Sequence, residues 1–176
     1  FLGPEDPDSL GPGAFVNGAG ESWLFFRISS VINLASVWVE ADVAGSRSIE
    51  IVNGSGAIVA SYIANLPAGK SRLSLNTELQ PGQYQIGGSN LGLFQNDSIS
   101  EAYPFSLAGI VSITGSSGGE ENYNFFYDWE VSTICFSEGD LAYLELDPGP
   151  DPIQSQDSLS LNCGTDNFLT DTSSQI

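Results

Sequence analysis

Two strand-like runs joined by a tight turn constrain the fold of this chain most. The run RSIEIV, residues 47–52, is followed by NGSG, residues 53–56, and then by AIVASYIAN, residues 57–65. Asn and Gly tolerate the positive φ angles of tight hairpins, so the pattern predicts two antiparallel strands. Similar runs recur about every eight to twelve residues, the spacing of sandwich folds, and none has a sustained helical period. The chain is therefore predicted to be all-β.

Alternating apolar residues define the other strands. In residues 71–79 we expect one buried face, formed by Leu73, Leu75, Thr77 and Leu79. In residues 34–41 we expect Leu34, Ser36, Trp38 and Glu40 on one face and Ala35, Val37, Val39 and Ala41 on the other. The remaining strands are expected at 22–28, 83–88, 109–115 and 141–147. The pattern favours a β-sandwich or jelly roll of about ten antiparallel strands with extended N- and C-terminal arms.

Composition divides the chain into three parts. Residues 1–20 are rich in Pro, Gly and Asp and predict an extended N-terminal arm. Residues 21–146 hold the strand pattern and form the predicted sandwich domain. Residues 147–176 predict an acidic linker and C-terminal tail. A disulfide between Cys135 and Cys163 is expected to tie this tail back and to stabilise the fold by about 3–4 kcal/mol.

The row YNFFYDWEV, residues 123–131, places large side chains at every second position: Tyr123, Phe125, Tyr127, Trp129 and Val131. It is either a platform for sugar rings or part of the interior. We expect the interior, because an exposed row of this size would promote aggregation. Asp128 and Glu130 share the opposite face, roughly 6–7 Å apart along an extended strand. Glycosidases use carboxylate pairs at such separations, but a solvated strand face explains this pair as well.

The charge pattern excludes several classes of function. The net charge is −18, and no Lys or Arg follows Arg72, so we expect no nucleic-acid partner and no insertion into an anionic membrane. No apolar run is long enough to span a bilayer. The chain starts at Phe1 and contains no Met, which predicts a processed, secreted protein at the cell surface or beyond it.

Catalytic chemistry is not predicted. The chain has no His, which removes the common nucleophile–base systems and His-ligated metals. No phosphate-binding loop or dinucleotide fingerprint occurs either, so we expect no enzyme and no organic cofactor. Calcium is the one cofactor left open, with Asp147, Asp151 and Asp157 as weak candidate ligands in an acidic loop.

Three blocks together resemble a β-sandwich module of large secreted and cell-surface proteins of the Bacteroidota. The blocks are NLPAGKSRLSLNTELQPGQYQIG, AYPFSLAGIVSITGS and YNFFYDWEVSTIC, and the likeness covers roughly residues 22–137. Such proteins are often exported by the type IX route and contain adhesin-like repeats. The resemblance implies an extracellular, adhesin-like context and no catalytic residues. These bacteria also attach O-glycans at Asp-Ser or Asp-Thr followed by a small or apolar residue, which makes this chain a candidate glycoprotein at Ser9, Ser98 and Ser158.

Two functions follow as hypotheses. The first is an extracellular structural protein, a subunit of a self-assembling filament or sheath whose partners are copies of itself. Its N-terminal arm would add a strand to a neighbouring subunit, with Phe1, Leu2, Leu10 and Phe15 as apolar anchors. The alternative is a carbohydrate-binding or adhesion module that contacts surface glycans. Its expected contact residues are Tyr62, Tyr84, Phe94 and Tyr103.

Overall fold

The structure is a computed structural model that describes residues 1–99 and 103–133. These residues form twelve strands and one short 3-10 turn at Pro7–Ser9. The strands are β1 (Gly13–Val16), β2 (Glu21–Ile28), β3 (Ile32–Ala41), β4 (Gly45–Asn53), β5 (Ile58–Leu66), β6 (Gly69–Leu79), β7 (Gly82–Ser89), β8 (Leu93–Asn96), β9 (Phe105–Leu107), β10 (Val111–Ser116), β11 (Tyr123–Asn124) and β12 (Tyr127–Thr133).

The strands form two antiparallel sheets of six strands each. Sheet 1 contains β1, β3, β6, β8, β11 and β12, with β3 paired to both β6 and β12. Sheet 2 has the order β5-β4-β7-β2-β10-β9. This arrangement confirms the all-β prediction and is consistent with a β-sandwich, whereas the jelly-roll connection order stays a prediction. The expected strand at 141–147 and the expected tail at 147–176 lie outside the described residues.

The hairpin predicted from NGSG is present between β4 and β5. Asn53 accepts hydrogen bonds from the backbone N–H groups of Ser55 and Ala57 at 3.1 and 3.0 Å through its side-chain oxygen. Gly56 follows with φ of +83°, a conformation that favours glycine. The turn therefore forms for the reason that the sequence suggested.

Both sheets direct one face into a shared hydrophobic core. In β6, Leu73, Leu75 and Leu79 are buried and Thr77 is half-buried, as predicted. From sheet 2, Leu24, Phe26, Ile49, Ile51, Ile86, Val111 and Ile113 are buried. The inward row predicted for β6 is therefore confirmed.

The alternation expected for residues 34–41 changes phase within β3. The pairing of β3 with β6 shifts register between Leu34 and Ser36. Leu34 therefore faces the core with the later set Val37, Val39 and Ala41, all four of them buried. The prediction that Leu34 shares a face with Ser36 and Trp38 was wrong, because a β-bulge moves all following side chains to the opposite face.

The aromatic row of residues 123–131 is interior but is not one strand. Tyr123, Phe125, Tyr127 and Trp129 are each at most 1% exposed, which confirms the interior prediction. The chain bends between β11 and β12, with positive φ at Phe125 and at Asp128. The bend also buries Phe126, which a straight strand would have placed on the opposite face. The prediction that these side chains are buried was therefore correct, but the prediction of one straight alternating strand was wrong.

Candidate functional site

The N-terminal segment, residues 1–16, lies along sheet 1 of its own chain. Leu2 and Leu10 are 3% and 1% exposed and belong to the core. Leu2 forms a β-bridge with Trp129, and β1 pairs with β8. In this structure Leu2 and Leu10 fill the interior of their own chain, and their role as anchors in a neighbouring subunit stays a prediction. Phe1, at 73% exposure, and Phe15, at 38%, remain at the surface.

Asn96 holds the N-terminal segment in place. Its buried side-chain amide donates hydrogen bonds to the carbonyl oxygens of Pro7 and Gly11, at 2.9 and 2.7 Å. Its side-chain oxygen accepts from the Tyr127 hydroxyl at 2.9 Å. Burial raises the pKa of Tyr127, so this hydroxyl stays protonated and remains a donor. One buried amide thus links the segment to the aromatic core.

An ion pair at the surface adds to this attachment. Lys70 lies 2.7 Å from the Asp8 carboxylate and 3.4 Å from the Asp6 carboxylate. The hydrogen bond to Asp8 raises the pKa of Lys70, with smaller contributions from the charges of Asp6 and Asp8. The pair is exposed, so its contribution to stability is small and screened by salt.

The edges of sheet 1 are protected against further strand pairing. Leu2 and Pro4 bond to the backbone of β12, and β1 covers β8. On the other side, β6 carries Lys70, Arg72 and Glu78 and has a positive φ at Asn76. Covers, charges and local irregularities are the usual devices by which proteins prevent edge-to-edge association.

The β5 edge of sheet 2 has only one of these devices, a β-bulge at Val59 where its pairing with β4 shifts register. Strand β5 pairs with β4 alone among the described residues, and its nine residues include no charged side chain and no proline. Ile63 is 81% exposed, Ile58 58% and Val59 44%. At the opposite end of sheet 2, β9 is only three residues long. A long, uncharged and apolar edge is a site for adding another strand.

Arg72 organises the surface that contains the two carboxylates of β12. Its guanidinium Nη1 lies 2.5 Å from Asp128, and Nη2 lies 3.6 Å from Glu130. Its Nε donates to the Ser36 hydroxyl at 2.8 Å, and Ser36 in turn donates to Glu130 at 2.5 Å. Both carboxylates are therefore tied to one cation. This network gives the carboxylates of Asp128 and Glu130 a structural role. Arg72 also lies over the rings of Phe1 and Trp38, at 5.2 and 5.7 Å from their centroids.

The four aromatics predicted to contact glycans do not form one surface. The Tyr62 hydroxyl hydrogen-bonds to Thr77 across the two sheets, and burial raises the Tyr62 pKa. Tyr84 stacks on Phe26 and donates to the Gln80 carbonyl, while Tyr103 donates to the carbonyl of Asn122. These three tyrosines pack against the core. Phe94 lies in sheet 1 and meets Phe15 edge-to-face at 5.3 Å.

Of the other predicted positions, some lie within the described residues and some lie outside them. Ser9 and Ser98 are exposed, and the Ser9 hydroxyl donates to the Asp6 carbonyl at 2.6 Å. Ser158, the cysteines Cys135 and Cys163, and the calcium candidates Asp147, Asp151 and Asp157 lie outside the described residues. Within residues 1–99 and 103–133, no cluster of three potential metal ligands occurs. No helix in this part of the chain has the length and apolarity to cross a membrane.

Comparison with known proteins gives no relative. No family model, no curated protein and no solved structure matches this chain. Functional argument therefore depends on the surfaces themselves.

Two surfaces were not predicted from the sequence: the β5 edge and the outward face of β2. The β5 edge was recognised as a strand but not as an uncovered one, since strand order in a sheet is not encoded in local pattern. The outward residues of β2, Trp23, Phe25 and Arg27, were missed because SWLFFRI is apolar at both alternating positions. Arg27 was the available signal, because a charged residue marks the face that points to solvent.

Proposed function

We propose that this chain is a structural protein of the cell exterior that assembles with further copies of itself through its sheet edges. The observation that carries this proposal is the β5 edge. It is long, uncharged and uncovered within the described residues, and Ile63 stands 81% exposed at its centre. Isolated domains avoid such edges because they promote association, so an edge of this kind in a soluble acidic chain favours a physiological contact.

The occupant of the β5 edge is a second copy of the same strand. Antiparallel pairing centred on Tyr62 sets Ser61 opposite Ile63 and Ala60 opposite Ala64, so no like charges meet. With a net charge of −18, two copies repel each other over most of their surface. A neutral edge is the place where they approach at the lowest electrostatic cost. Salt should strengthen the contact, because it screens the remaining repulsion.

Pairing of two β5 strands closes about a two-fold axis, so a filament needs a second contact. The N-terminal segment supplies a candidate. It is followed by the exposed residues 17–20, NGAG, which connect β1 in sheet 1 to β2 in sheet 2. If this linker opens, the segment can occupy the same place on a neighbouring copy. Such an exchange retains the contacts of Leu2 and Leu10, so its net cost is low.

The location and the non-catalytic role are part of the proposal. The exterior location is supported by the resemblance to secreted modules and by the acidic, His-free composition. The carboxylates Asp128 and Glu130 are engaged by Arg72, which supports a structural role for that pair. An adhesive or scaffolding protein fits these properties better than an enzyme.

Sedimentation of the full chain over a range of concentrations tests the proposal. We expect the wild type to associate, and Ile63→Lys to be monomeric, because a lysine on the edge must be buried or repelled in the pair. Ser74→Lys is the matched control, since Ser74 is an exposed position on β6, an edge that already carries charge. It should associate like the wild type.

Two results would overturn the proposal: a wild type that stays monomeric at its highest soluble concentration, or an Ile63→Lys variant that associates normally. Electron microscopy of the wild type then separates closed pairs from filaments. Filaments that persist when two cysteines cross-link the N-terminal segment to its own β8 would exclude exchange of this segment. Filaments that disappear under this cross-link would support it.

A further inference from the structure

The outer face of sheet 2 carries aromatic side chains that the core does not use. In β2, Leu24, Phe26 and Ile28 point inward and are buried, so Trp23, Phe25 and Arg27 point outward. Trp23 and Phe25 are half-buried yet lie outside the hydrophobic core. With Gln83 and Gln85 of the neighbouring β7, these residues form what we call the β2–β7 face.

The Trp23 ring is fixed in an accessible position. Gly87 is its cross-strand partner on β7, and a Cβ at Gly87 would lie 2.9 Å from the Trp23 ring atom Cε3. The glycine thus leaves the space in which the indole lies across the neighbouring strand. The Trp23 Nε1 donates to the Glu21 carboxylate at 3.2 Å. The ring is therefore held from one side and open on the other.

Polar side chains surround the two rings. Phe25 is paired with Gln85, and Arg27 is paired with Gln83. A groove of about 640 Å³ is lined by these four residues and by Asn53 of the β4–β5 turn. A smaller groove of about 220 Å³ lies beside Trp23 and is lined by Ser48 and by two residues with carboxylates, Glu21 and Glu50. Grooves of such size that combine rings with amides and hydroxyls are typical of ligand sites.

Arg27 gives the face a distinct charge. The chain has four basic residues, and Arg47, Lys70 and Arg72 each form an ion pair within the described residues. Arg27 is exposed and has no carboxylate within 4.0 Å in this part of the chain. In a protein of net charge −18, this exposed guanidinium can attract an anion at the Arg27 end of the face, whereas Glu21 and Glu50 lie at the Trp23 end.

We propose that the β2–β7 face binds an acidic oligosaccharide, with sugar rings stacked on Trp23 and Phe25 and a uronate carboxylate paired with Arg27. The C–H face of a pyranose ring packs on the electron-rich face of an aromatic ring. Gln83 and Gln85 offer both donors and acceptors to sugar hydroxyls, and Asn53, whose side-chain oxygen is engaged in the turn, offers its amide donors. From Trp23 to Arg27 the strand spans about 13 Å, which suits several linked sugars and not a single one.

The same features disfavour other polymers. A peptide strand would add to a sheet edge, where backbone groups are free, and not to a sheet face. Nucleic acid would be repelled by the overall charge, which a single arginine does not offset. An oligosaccharide with sparse carboxylates fits this face, which offers one cation and two aromatic rings. This site is separate from the β5 edge, so it does not depend on the proposed assembly.

Affinity electrophoresis of the native full chain tests the site, with deacylated gellan, whose uronates are separated by neutral sugars, and, separately, neutral hydroxyethylcellulose in the gel, and with chelator to remove calcium. We expect retardation by gellan. Trp23→Ala should weaken it by at least about tenfold, the range seen for loss of one stacked aromatic ring. Arg27→Gln should abolish the preference for the acidic polymer. Phe15→Ala is the control, because Phe15 is an exposed aromatic on sheet 1.

Trp23→Ala alters a half-buried side chain, so Trp23→Tyr is the companion variant. It should keep most of the binding, and its melting temperature should equal that of the wild type. The proposal is overturned if gellan causes no retardation. It is equally overturned if Arg27→Gln binds both polymers like the wild type, or if Phe15→Ala removes binding as strongly as Trp23→Ala. The Ile63→Lys variant should bind gellan normally, which separates this site from the assembly edge.

Discussion

Leu2 and Trp129 exchange two backbone hydrogen bonds, with N···O distances of 2.9 and 2.8 Å, and both side chains lie in the core. This pairing places the second residue of the chain beside the last described strand of sheet 1. The backbone of Leu2 thus provides hydrogen-bond partners for the edge of β12, and its side chain fills part of the interior. Removal of the N-terminal segment would therefore expose an edge and open a cavity at once.

Leu2→Ala should destabilise the fold by about 2–5 kcal/mol, the range for truncating a buried leucine. Phe1→Ala, one residue away, removes a ring that is 73% exposed and should change stability by less than about 1 kcal/mol. Urea unfolding of the two variants measures both values. Equal midpoints for Leu2→Ala and wild type would show that the N-terminal segment is not packed on its own chain in solution.

Arg72→Met should lower stability by about 1–3 kcal/mol, because it removes charged hydrogen bonds from partly buried acceptors. The loss should be partly recovered in the double variant Arg72→Met with Asp128→Asn, since the second change removes the carboxylate left without its partner at Asp128. A double-mutant cycle by chemical denaturation measures this coupling. If the two effects simply add, Arg72 and Asp128 do not interact in solution.

The sequence predicted what depends on local pattern. The hairpin at Asn53, the inward row of β6 and the burial of Tyr123 and Trp129 all follow from alternation, turn chemistry and size. The bulge at Ser36 and the bend at Phe125 were not predictable, because each arises where packing between strands overrides a regular local repeat. Alternation also cannot show which strand has no neighbour. For that reason the sequence analysis named the N-terminal arm as a donor strand but did not identify β5 as the free edge.

Stability should fall steeply above pH 10. Burial raises the pKa of Tyr103, Tyr123 and Tyr127 above the ordinary value of 10.0. The unfolded chain loses these protons at a lower pH than the folded chain does. The free energy of unfolding is therefore highest below pH 10, and it falls as the pH rises from there toward the pKa values of the folded chain. Each such tyrosine contributes a slope of about 1.4 kcal/mol per pH unit, and three give about 4.

Phenolate absorbance and circular dichroism, followed together, check this dependence. We expect the buried phenolates to appear only as the strand signal disappears. Tyr123→Phe should reduce the slope by about one third, because it removes one of the three tyrosines whose pKa values are raised most; the pKa of Tyr62 is raised less. Complete ionisation of the tyrosines with an intact strand signal would contradict the burial of these side chains.

Gly87→Ala should both destabilise the fold and displace Trp23. The added Cβ would lie within 2.9 Å of the Trp23 ring and closer still to the Ser22 carbonyl oxygen, so β2 and β7 must separate or the indole must turn outward. Overpacking of this kind costs about 1–3 kcal/mol. Gly54→Ala is the matched control, because its nearest atoms, in Gln83, would be at an ordinary 3.5 Å. Thermal melting and the Trp fluorescence maximum measure the two effects. A stable Gly87→Ala variant with unchanged fluorescence would show that Trp23 does not lie across β7, and the β2–β7 face would lose its fixed ring.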